Sequence, residues 1–272
     1  MEDLKVAAVS MRSVVGKKQE NLARMESMAE QAAQKGARVV CFPELNISGY
    51  TLKKKMDSFG ETIPGPSTDA VLDMARAYNL LILAGLAEKK GENQFFISQF
   101  AAGPEGLLGV YRKLHLGPAE EGIYLAGDEC SAFEYGKTIF GIELCFDGHF
   151  PELSTLLALK GAEVIFIPHA SPRESREEKQ ERWMRYLAAR AYDNSVFVVA
   201  CNQVGKLKPG LNFSGAALIL TPRGEILAAS RGDEEGMILA ELKRDTLQSV
   251  RESPRGFFLR KRRPKLYRDL AG

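Results

Sequence analysis

Short apolar runs alternate along this chain with stretches whose apolar residues recur at helical spacing. The run Leu4–Ser10 is typical of a buried strand, and the helical stretch after it stops before Gly36. A second cycle leads from a helix over Thr68–Tyr78 into a strand over Leu80–Ala87, and a third begins with a helix over Phe150–Lys160. Because helices that alternate with buried strands cover the faces of a sheet, the pattern predicts an α/β fold.

Strand-like segments also follow one another directly, between residues 94 and 145, with glycine-bearing or short polar breaks. Residues 213–230 predict a hairpin that turns at Pro222, Arg223 and Gly224. This mixture favours helices covering a mixed sheet. Neither an internal repeat nor a linker divides the pattern, so we expect a single domain over residues 1–272, with 251–272 as a C-terminal arm.

Composition argues against several classes of function. The 37 basic and 35 acidic residues leave a net charge of +2, which favours a small, neutral or weakly charged ligand over nucleic acid. The Arg- and Lys-rich C-terminal arm could contact an anion, but pairing with acids of a partner subunit is the favoured interpretation. The N-terminus resembles no targeting peptide and no run is long enough to span a membrane, so we expect a cytoplasmic protein.

Cysteine and histidine spacing gives no indication of a metal site. The four cysteines, at 41, 130, 145 and 201, form no C-x-x-C pair, and the three histidines, at 115, 149 and 169, lack the spacing of zinc ligands. We therefore expect neither a disulfide framework nor a metal or organic cofactor. Cys41, Cys130 and Cys201 are interpreted as packing residues.

Cys145 differs from the other cysteines because it ends an apolar run in the segment GIELCFDGHFPE, where a Pro-Glu pair can open a helix. A strand that leads into a helix N-terminus exposes a side chain among unpaired backbone N–H groups, which favour a thiolate and an oxyanion. Cys145 is therefore the candidate nucleophile. Inert packing is the alternative.

Glu44 and Lys113 lie at similar places, at the ends of apolar runs in FPELNISGY and YRKLHL. Glu44, partly shielded by Tyr50, could act as the base that a cysteine needs, with a pKa raised by desolvation. Lys113 and the backbone N–H of Phe146 could stabilise a tetrahedral oxyanion. Taken alone, Glu44 would more often be a solvated loop carboxylate or a helix N-terminal cap, and Lys113 a surface lysine. Their position at strand ends favours a site, because ligands bind there in α/β folds.

These segments resemble the nitrilase superfamily of carbon–nitrogen hydrolases, in its amidase and carbamoylase-like branch. FPELNISGY is similar to the glutamate motif of that family, YRKLHLGPAEEGIYLAGD to its lysine motif and GIELCFDGHFPE to its cysteine motif, in the same chain order. AARAYDNSVFVVACNQVG and FSGAALILTPRGEIL are similar to later stretches, so the resemblance covers nearly the whole chain. It implies a four-layer α-β-β-α sandwich that forms a homodimer or a higher homo-oligomer.

The resemblance also implies a catalytic set. Glu44 matches the general base, Lys113 the oxyanion-stabilising lysine and Cys145 the nucleophile. Glu121 matches a second active-site glutamate that positions the substrate and the lysine, while the adjacent Glu120 is expected to point to water. The implied mechanism is acyl transfer from the substrate to Cys145 and then to water.

Substrate contacts are predicted at Tyr50, His149 and Arg173. His149 stands where many members of the family have an arginine, and Ala217 where a serine is frequent, so no subfamily preference carries over directly. Arg173, in the loop after the strand at Val164, could bind a substrate carboxylate. A solvated charged loop is the alternative.

The leading hypothesis is an amidase that hydrolyses a small linear carboxamide to a carboxylic acid and ammonia. An N-carbamoyl amine or N-carbamoyl amino-acid hydrolase is the close rival. A nitrilase is disfavoured because Phe146-Asp147 replaces the Trp-Glu pair of that branch. A non-catalytic binding or scaffold protein, or a redox sensor that uses Cys145, is the alternative of another class.

Overall fold

The computed structural model describes residues 1–53, 56–172, 174–208, 211–230 and 234–271. Fourteen strands and five helices form most of this part of the chain. The strands are β1 Leu4–Ser10, β2 Val39–Cys41, β3 Leu81–Gly91, β4 Gln94–Gly103, β5 Gly106–Arg112, β6 Ala132–Tyr135, β7 Thr138–Ile142, β8 Val164–His169, β9 Phe197–Asn202, β10 Val204–Lys208, β11 Leu211–Ser214, β12 Ala217–Leu220, β13 Ile226–Ala229 and β14 Gly236–Leu242. The helices are α1 Lys18–Gln34, α2 Pro66–Tyr78, α3 Pro151–Leu159, α4 Arg176–Asn194 and α5 Arg244–Arg251.

Two six-stranded mixed sheets form the centre of the molecule. The first has the order β14-β1-β2-β3-β4-β5 and the second the order β13-β12-β9-β8-β7-β6. In each sheet three adjacent strands are parallel, β1-β2-β3 in one and β7-β8-β9 in the other, and the outer pairs are antiparallel. The parallel strands are connected through helices, as parallel neighbours require.

The sheets pack against each other and each carries a pair of helices on its outer face. One apolar cluster lies between the sheets and joins residues such as Val6 and Leu83 to Phe166 and Val199. A second cluster joins the first sheet to α1 and α2, and a third joins the second sheet to α3 and α4. The chain therefore forms the expected four-layer α-β-β-α sandwich.

Most elements lie where the apolar periodicity predicts them. The helical spacing after Gly16 corresponds to α1, which buries its predicted apolar face. The predicted hairpin is formed by β12 and β13, in which Leu218 pairs with Ala229. Residue patterns predicted helices covering a mixed sheet, and the structure has two such sheets. The number of sheets could not be predicted, because the pattern marks a strand as buried without indicating which sheet it joins. The β10-β11 hairpin was not predicted at all.

The C-terminal segment after α5 consists of 3-10 turns over Phe258–Lys261, Pro264–Leu266 and Arg268–Ala271. Its role as an arm that reaches a partner subunit stays a prediction. Among the described residues, no helix combines the length and apolar character needed to cross a membrane.

Candidate active site

The predicted catalytic side chains follow strands at one edge of the sandwich. Glu44 follows β2, Lys113 follows β5 and Cys145 follows β7. β2 and β7 belong to the parallel parts of their sheets, and the carboxyl ends of parallel strands lie along one edge. The fold therefore brings together residues that are 101 positions apart in the chain, Glu44 and Cys145.

A buried cluster of three charged side chains lies at this edge. The Nζ atom of Lys113 is 2.8 Å from Oε1 of Glu44 and 3.0 and 2.8 Å from Oε1 and Oε2 of Glu120. Glu44 is completely buried, Lys113 is 1% exposed and Glu120 is 5% exposed. We call Glu44, Lys113 and Glu120 the inner cluster. With two carboxylates and one ammonium group, it has an excess of negative charge.

The second glutamate of this site is Glu120, and the prediction of Glu121 was wrong. Glu121 is exposed, whereas the Glu120 carboxylate contacts Lys113 and accepts a hydrogen bond from the Gly117 N–H at 2.8 Å. The Glu120 N–H in turn donates to the Gly117 carbonyl at 2.8 Å, closing a tight turn. Adjacent residues of such a turn point in different directions, and spacing in the sequence cannot distinguish them.

Burial and mutual charge determine the protonation of the inner cluster. Burial raises the pKa of Glu44 to about 7, against the opposing charge of Lys113. Burial alone would lower the pKa of Lys113, but the Glu44 and Glu120 carboxylates hold it above its usual value. Lys113 is therefore a permanent cation, while Glu44 can exchange a proton near neutral pH.

Backbone and amide donors fix Glu44 in place. Its Oε2 accepts a hydrogen bond from the Ala170 N–H at 2.8 Å, just after β8. Its carbonyl oxygen accepts another from Nε2 of Gln203 at 2.8 Å. Both sheets thus contribute to the position of this carboxylate, since β2 belongs to the first sheet and β8 to the second.

Cys145 has a backbone conformation that L-residues rarely adopt. Its φ of 48° lies in the left-handed region, at the start of the 3-10 helix Cys145–His149. Such strained residues are concentrated at functional sites. The side chain is half-buried, and the turn after it is held by the Arg190 guanidinium, whose Nε donates to the Gly148 carbonyl at 3.0 Å.

The resting thiol is neutral, which differs from the thiolate favoured by the sequence. Burial raises the pKa of Cys145 to about 12, and the Glu44 carboxylate adds to this effect while Lys113 opposes it. Burial and the Glu44 charge together outweigh the charge of Lys113, so the thiolate predicted from the helix N-terminus is not favoured. Cys145 can therefore attack only if a base removes its proton during the reaction, and the neighbouring carboxylate with a pKa of about 7 is Glu44.

Asp147 connects the segment that carries Lys113 to the segment that carries Cys145. This completely buried carboxylate accepts hydrogen bonds from the N–H groups of His115 at 2.7 Å and Leu144 at 3.0 Å. It also accepts one from the Tyr111 hydroxyl at 2.8 Å. The role of Asp147 could not be predicted from the sequence, because its partners are distant in the chain and no local pattern marks them.

Phe146, whose N–H was predicted to bind an oxyanion, is in the first turn of the 3-10 helix. The N–H groups at the start of a helix lack partners within it. The position fits the prediction, which stays untested.

The predicted substrate contacts lie in different environments. Tyr50 is buried with its ring edge-on to Phe213, at 6.0 Å between centroids. Burial raises the pKa of Tyr50, the two carboxylates of the inner cluster raise it further, and Lys113 opposes them. His149 is exposed on one side and lies against the Tyr186 ring at 4.2 Å. Burial and the neighbouring Arg182 lower its pKa, so it is neutral at physiological pH. Arg173 lies outside the described residues.

A second charged group that the sequence did not indicate borders the site. Ser171, Glu174, Lys179 and Arg182 contact one another at the start of α4. We call them the outer cluster. The run of charged residues in this helix looks like a solvated face in the sequence, although Lys179 is completely buried.

The described residues contain no group of three or more His, Cys, Asp and Glu side chains that could hold a metal ion. His169, for example, is buried against Trp183, and its two ring nitrogens lie 2.7 Å from the Ile167 carbonyl and 3.2 Å from the Tyr186 hydroxyl.

Comparison with known proteins agrees with this geometry. A family model described as carbon-nitrogen hydrolase matches residues 5–252. A nitrilase of Pyrococcus abyssi is 32% identical over 97% of this chain and 99% of its own length, and a 2-oxoglutaramate amidase of Bacillus subtilis is 33% identical over 88% of this chain and 90% of its own. In fold, a carbon-nitrogen hydrolase of Helicobacter pylori is similar with a TM-score of 0.87 and 24% identity, over 100% of this chain and 99% of that one.

Proposed function

Because this chain belongs to the carbon–nitrogen hydrolase family, we propose that it hydrolyses a small linear carboxamide to a carboxylic acid and ammonia through a thioester on Cys145. The family and the named relatives support an amidase-type hydrolase that cleaves amide C–N bonds. The observation that carries the finer proposal is the contact of Lys113 with both Glu44 and Glu120, beside a neutral, half-buried thiol.

The first step is attack of Cys145 on the amide carbon. Glu44 takes the thiol proton as the C–S bond forms, so that a thiolate is never exposed to the negative inner cluster as a stable species. Lys113 and the Phe146 N–H face the developing oxyanion. Glu44 then returns the proton to the nitrogen, the C–N bond breaks and ammonia leaves a thioester on Cys145.

The second step is hydrolysis of that thioester. Glu44, again ionised, takes a proton from water as the water oxygen attacks the thioester carbon. The same oxyanion donors stabilise the second tetrahedral intermediate, and collapse expels the Cys145 sulfur, which recovers its proton from Glu44. The carboxylic acid is released, and the overall reaction consumes one amide and one water.

In this mechanism Glu120 is a positioning residue. Its carboxylate keeps Lys113 charged and fixes the direction of the Nζ donors. Burial is the main cause of the raised pKa of Glu44, and the charge of Glu120 raises it further, so that the pKa of this base lies closer to neutral pH.

Assembly and location are part of the same proposal. The exposed apolar side chains of Leu156 and Leu159 on α3 and of Tyr192 on α4 support a homodimer that covers this outer helical layer. The cysteines of the chain are free, which fits a reducing cytoplasm.

The test is hydrolysis by the purified protein of a panel of linear amides and N-carbamoyl compounds, with ammonia and carbon dioxide both recorded. We expect ammonia alone from the amides, loss of that activity in Cys145→Ala, and no loss in Cys130→Ala, the matched change at a half-buried cysteine. Turnover confined to carbamoyl compounds, with carbon dioxide, would support the rival substrate class. Undiminished turnover by Cys145→Ala would refute the mechanism.

A further inference from the structure

A completely buried asparagine, Asn202, holds the backbone of the loop that follows β8. The pairing of β8 with β9 ends at His169 and Asn202. Beyond that pair, Oδ1 of Asn202 accepts a hydrogen bond from the Ser171 N–H at 2.9 Å, and its Nδ2 donates to the Ser171 carbonyl at 3.0 Å. The side-chain amide therefore satisfies both backbone groups of one residue where the strand ladder has ended.

The side chain of the same serine is held by the outer cluster. Nζ of Lys179 is 3.0 Å and Nη2 of Arg182 is 3.2 Å from the Ser171 hydroxyl. Both cations also contact Oε2 of Glu174, at 2.9 and 2.8 Å. Ser171 is thus fixed through its backbone by Asn202 and through its hydroxyl by two cations that share one carboxylate.

This fixed serine directly follows the residue that contacts the candidate base. The Ala170 N–H donates to Oε2 of Glu44 at 2.8 Å. Burial raises the pKa of Glu44 to about 7, and this hydrogen bond opposes the rise, as does the charge of Lys113. A hydrogen bond weakens steeply when its donor is displaced or turned. Groups that fix the Ala170–Ser171 peptide therefore stabilise the ionised form of Glu44.

We propose that Asn202 is a positioning residue for the general base, because it holds Ser171 and so keeps the Ala170 N–H directed at Glu44. The outer cluster supports the same contact through the Ser171 hydroxyl. The inference rests on the proposed function, which assigns Glu44 as the base. Asn202 is uncharged, so its replacement acts on Glu44 through the Ala170 contact and not through a change of charge. Among the described residues, the charged and titratable groups that interact with Glu44, and that this replacement leaves in place, are Lys113, Glu120, Cys145, Tyr50 and Tyr124.

The experiment is a pH profile of kcat/KM for amide hydrolysis by charge-neutral variants. In Asn202→Ala the midpoint should move to higher pH by at least roughly half a pH unit, and the plateau should fall by roughly 3- to 10-fold. Ser171→Ala removes only the hydroxyl contacts and should give a smaller move in the same direction. The matched control is Asn194→Ala, since the buried Asn194 amide donates to the Arg190 carbonyl of its own helix at 2.9 Å. It should lower the melting temperature and leave the midpoint unchanged.

Unchanged midpoints in Asn202→Ala and Ser171→Ala, or an equal move in Asn194→Ala, would overturn the inference. If Asn202→Ala does not fold, Ser171→Ala decides the question alone.

A direct titration of Glu44 separates this inference from the proposed function. Carbon-13 NMR of protein labelled at the glutamate carboxyl carbons follows each ionisation without turnover, and the loss of one resonance in Glu44→Gln assigns Glu44. A higher ionisation midpoint of that resonance in Asn202→Ala supports the positioning role even if the substrate is of another class. Equal midpoints in wild type and Asn202→Ala would contradict it. Absence of ammonia from every amide would instead contradict the proposed function.

Discussion

The inner and outer clusters are both groups of charged side chains at the same edge of the sandwich, but they differ in burial and in the sign of their excess charge. The inner cluster has two carboxylates around Lys113, and each of its members is held by the others or by backbone donors. The outer cluster has two cations around Glu174, and Arg182 keeps an unused buried donor. Residues that transfer protons need fixed positions, which the fully used contacts of the inner cluster provide. A donor that the protein leaves unused, as in the outer cluster, is available to a ligand.

The largest effect is expected from removing the cation of the inner cluster. Lys113→Met should lower kcat by roughly 1,000-fold or more, because the oxyanion loses its charged donor and the two buried carboxylates repel each other. Lys160→Met, at an exposed position on the outer helical layer, is the control and should keep full activity. Steady-state ammonia release, with a thermal melt to verify folding, measures the difference. Equal activity of the two variants would remove Lys113 from the mechanism.

The next effect distinguishes the two adjacent glutamates. Glu120→Gln should lower kcat by roughly 10- to 100-fold, because Lys113 loses a charged partner that positions it. Glu121→Gln should leave kcat unchanged, because that side chain is exposed. If Glu121→Gln were the damaging change, the arrangement of the inner cluster described above would be wrong.

A pH profile tests how the inner cluster holds its proton. Glu44 has its pKa raised to about 7 and must be ionised to accept the thiol proton, so kcat/KM should rise with pH and level off above about 7. Below that value it should fall by about 10-fold per pH unit. Glu120→Gln removes a charge that raises the pKa of Glu44, so the midpoint should move to lower pH. A flat profile between pH 5 and about 8 would contradict a base of this kind.

The smallest effect on the chemistry is expected from Asp147, which joins the segment of Lys113 to the segment of Cys145. Asp147→Asn should lower the free energy of unfolding by about 2 kcal/mol, because an amide cannot accept all the hydrogen bonds that the buried carboxylate accepts. We expect kcat to fall by only about 10-fold, with KM little changed, because Lys113 and Cys145 are no longer held in fixed positions relative to each other. Chemical denaturation and steady-state kinetics measure the two quantities. Unaltered stability would show that the contacts of Asp147 are dispensable.

The sequence was most informative where function depends on the end of an element. Apolar runs mark strand ends, so the places of Glu44, Lys113 and Cys145 could be predicted from the sequence. The sequence was least informative where function depends on the direction of a side chain. Glu120 and Glu121 have the same chemistry and adjacent positions, and only the turn at Gly117 determines which of them is buried.

The outer cluster could not be predicted from the sequence, for a related reason. Lys179 lies in a helix whose many charges resemble a solvated face, and its burial results from packing against the loop that contains Ser171. The division of the strands between two sheets is also a tertiary property. Each strand carries the same apolar signal whichever sheet it joins.

The most direct test of the account is the mass of the intact protein during turnover. Glu44→Gln retains the shape of the base but cannot accept a proton, so a reactive amide or ester of a small acid should leave a long-lived acyl group on Cys145 in this variant. We predict an added mass equal to the acyl group, located on the peptide that contains Cys145 and absent when Cys145→Ala is combined with Glu44→Gln. An enzyme that hydrolyses amides while no acyl group is ever found on Cys145, in wild type or in Glu44→Gln, would contradict the central claim.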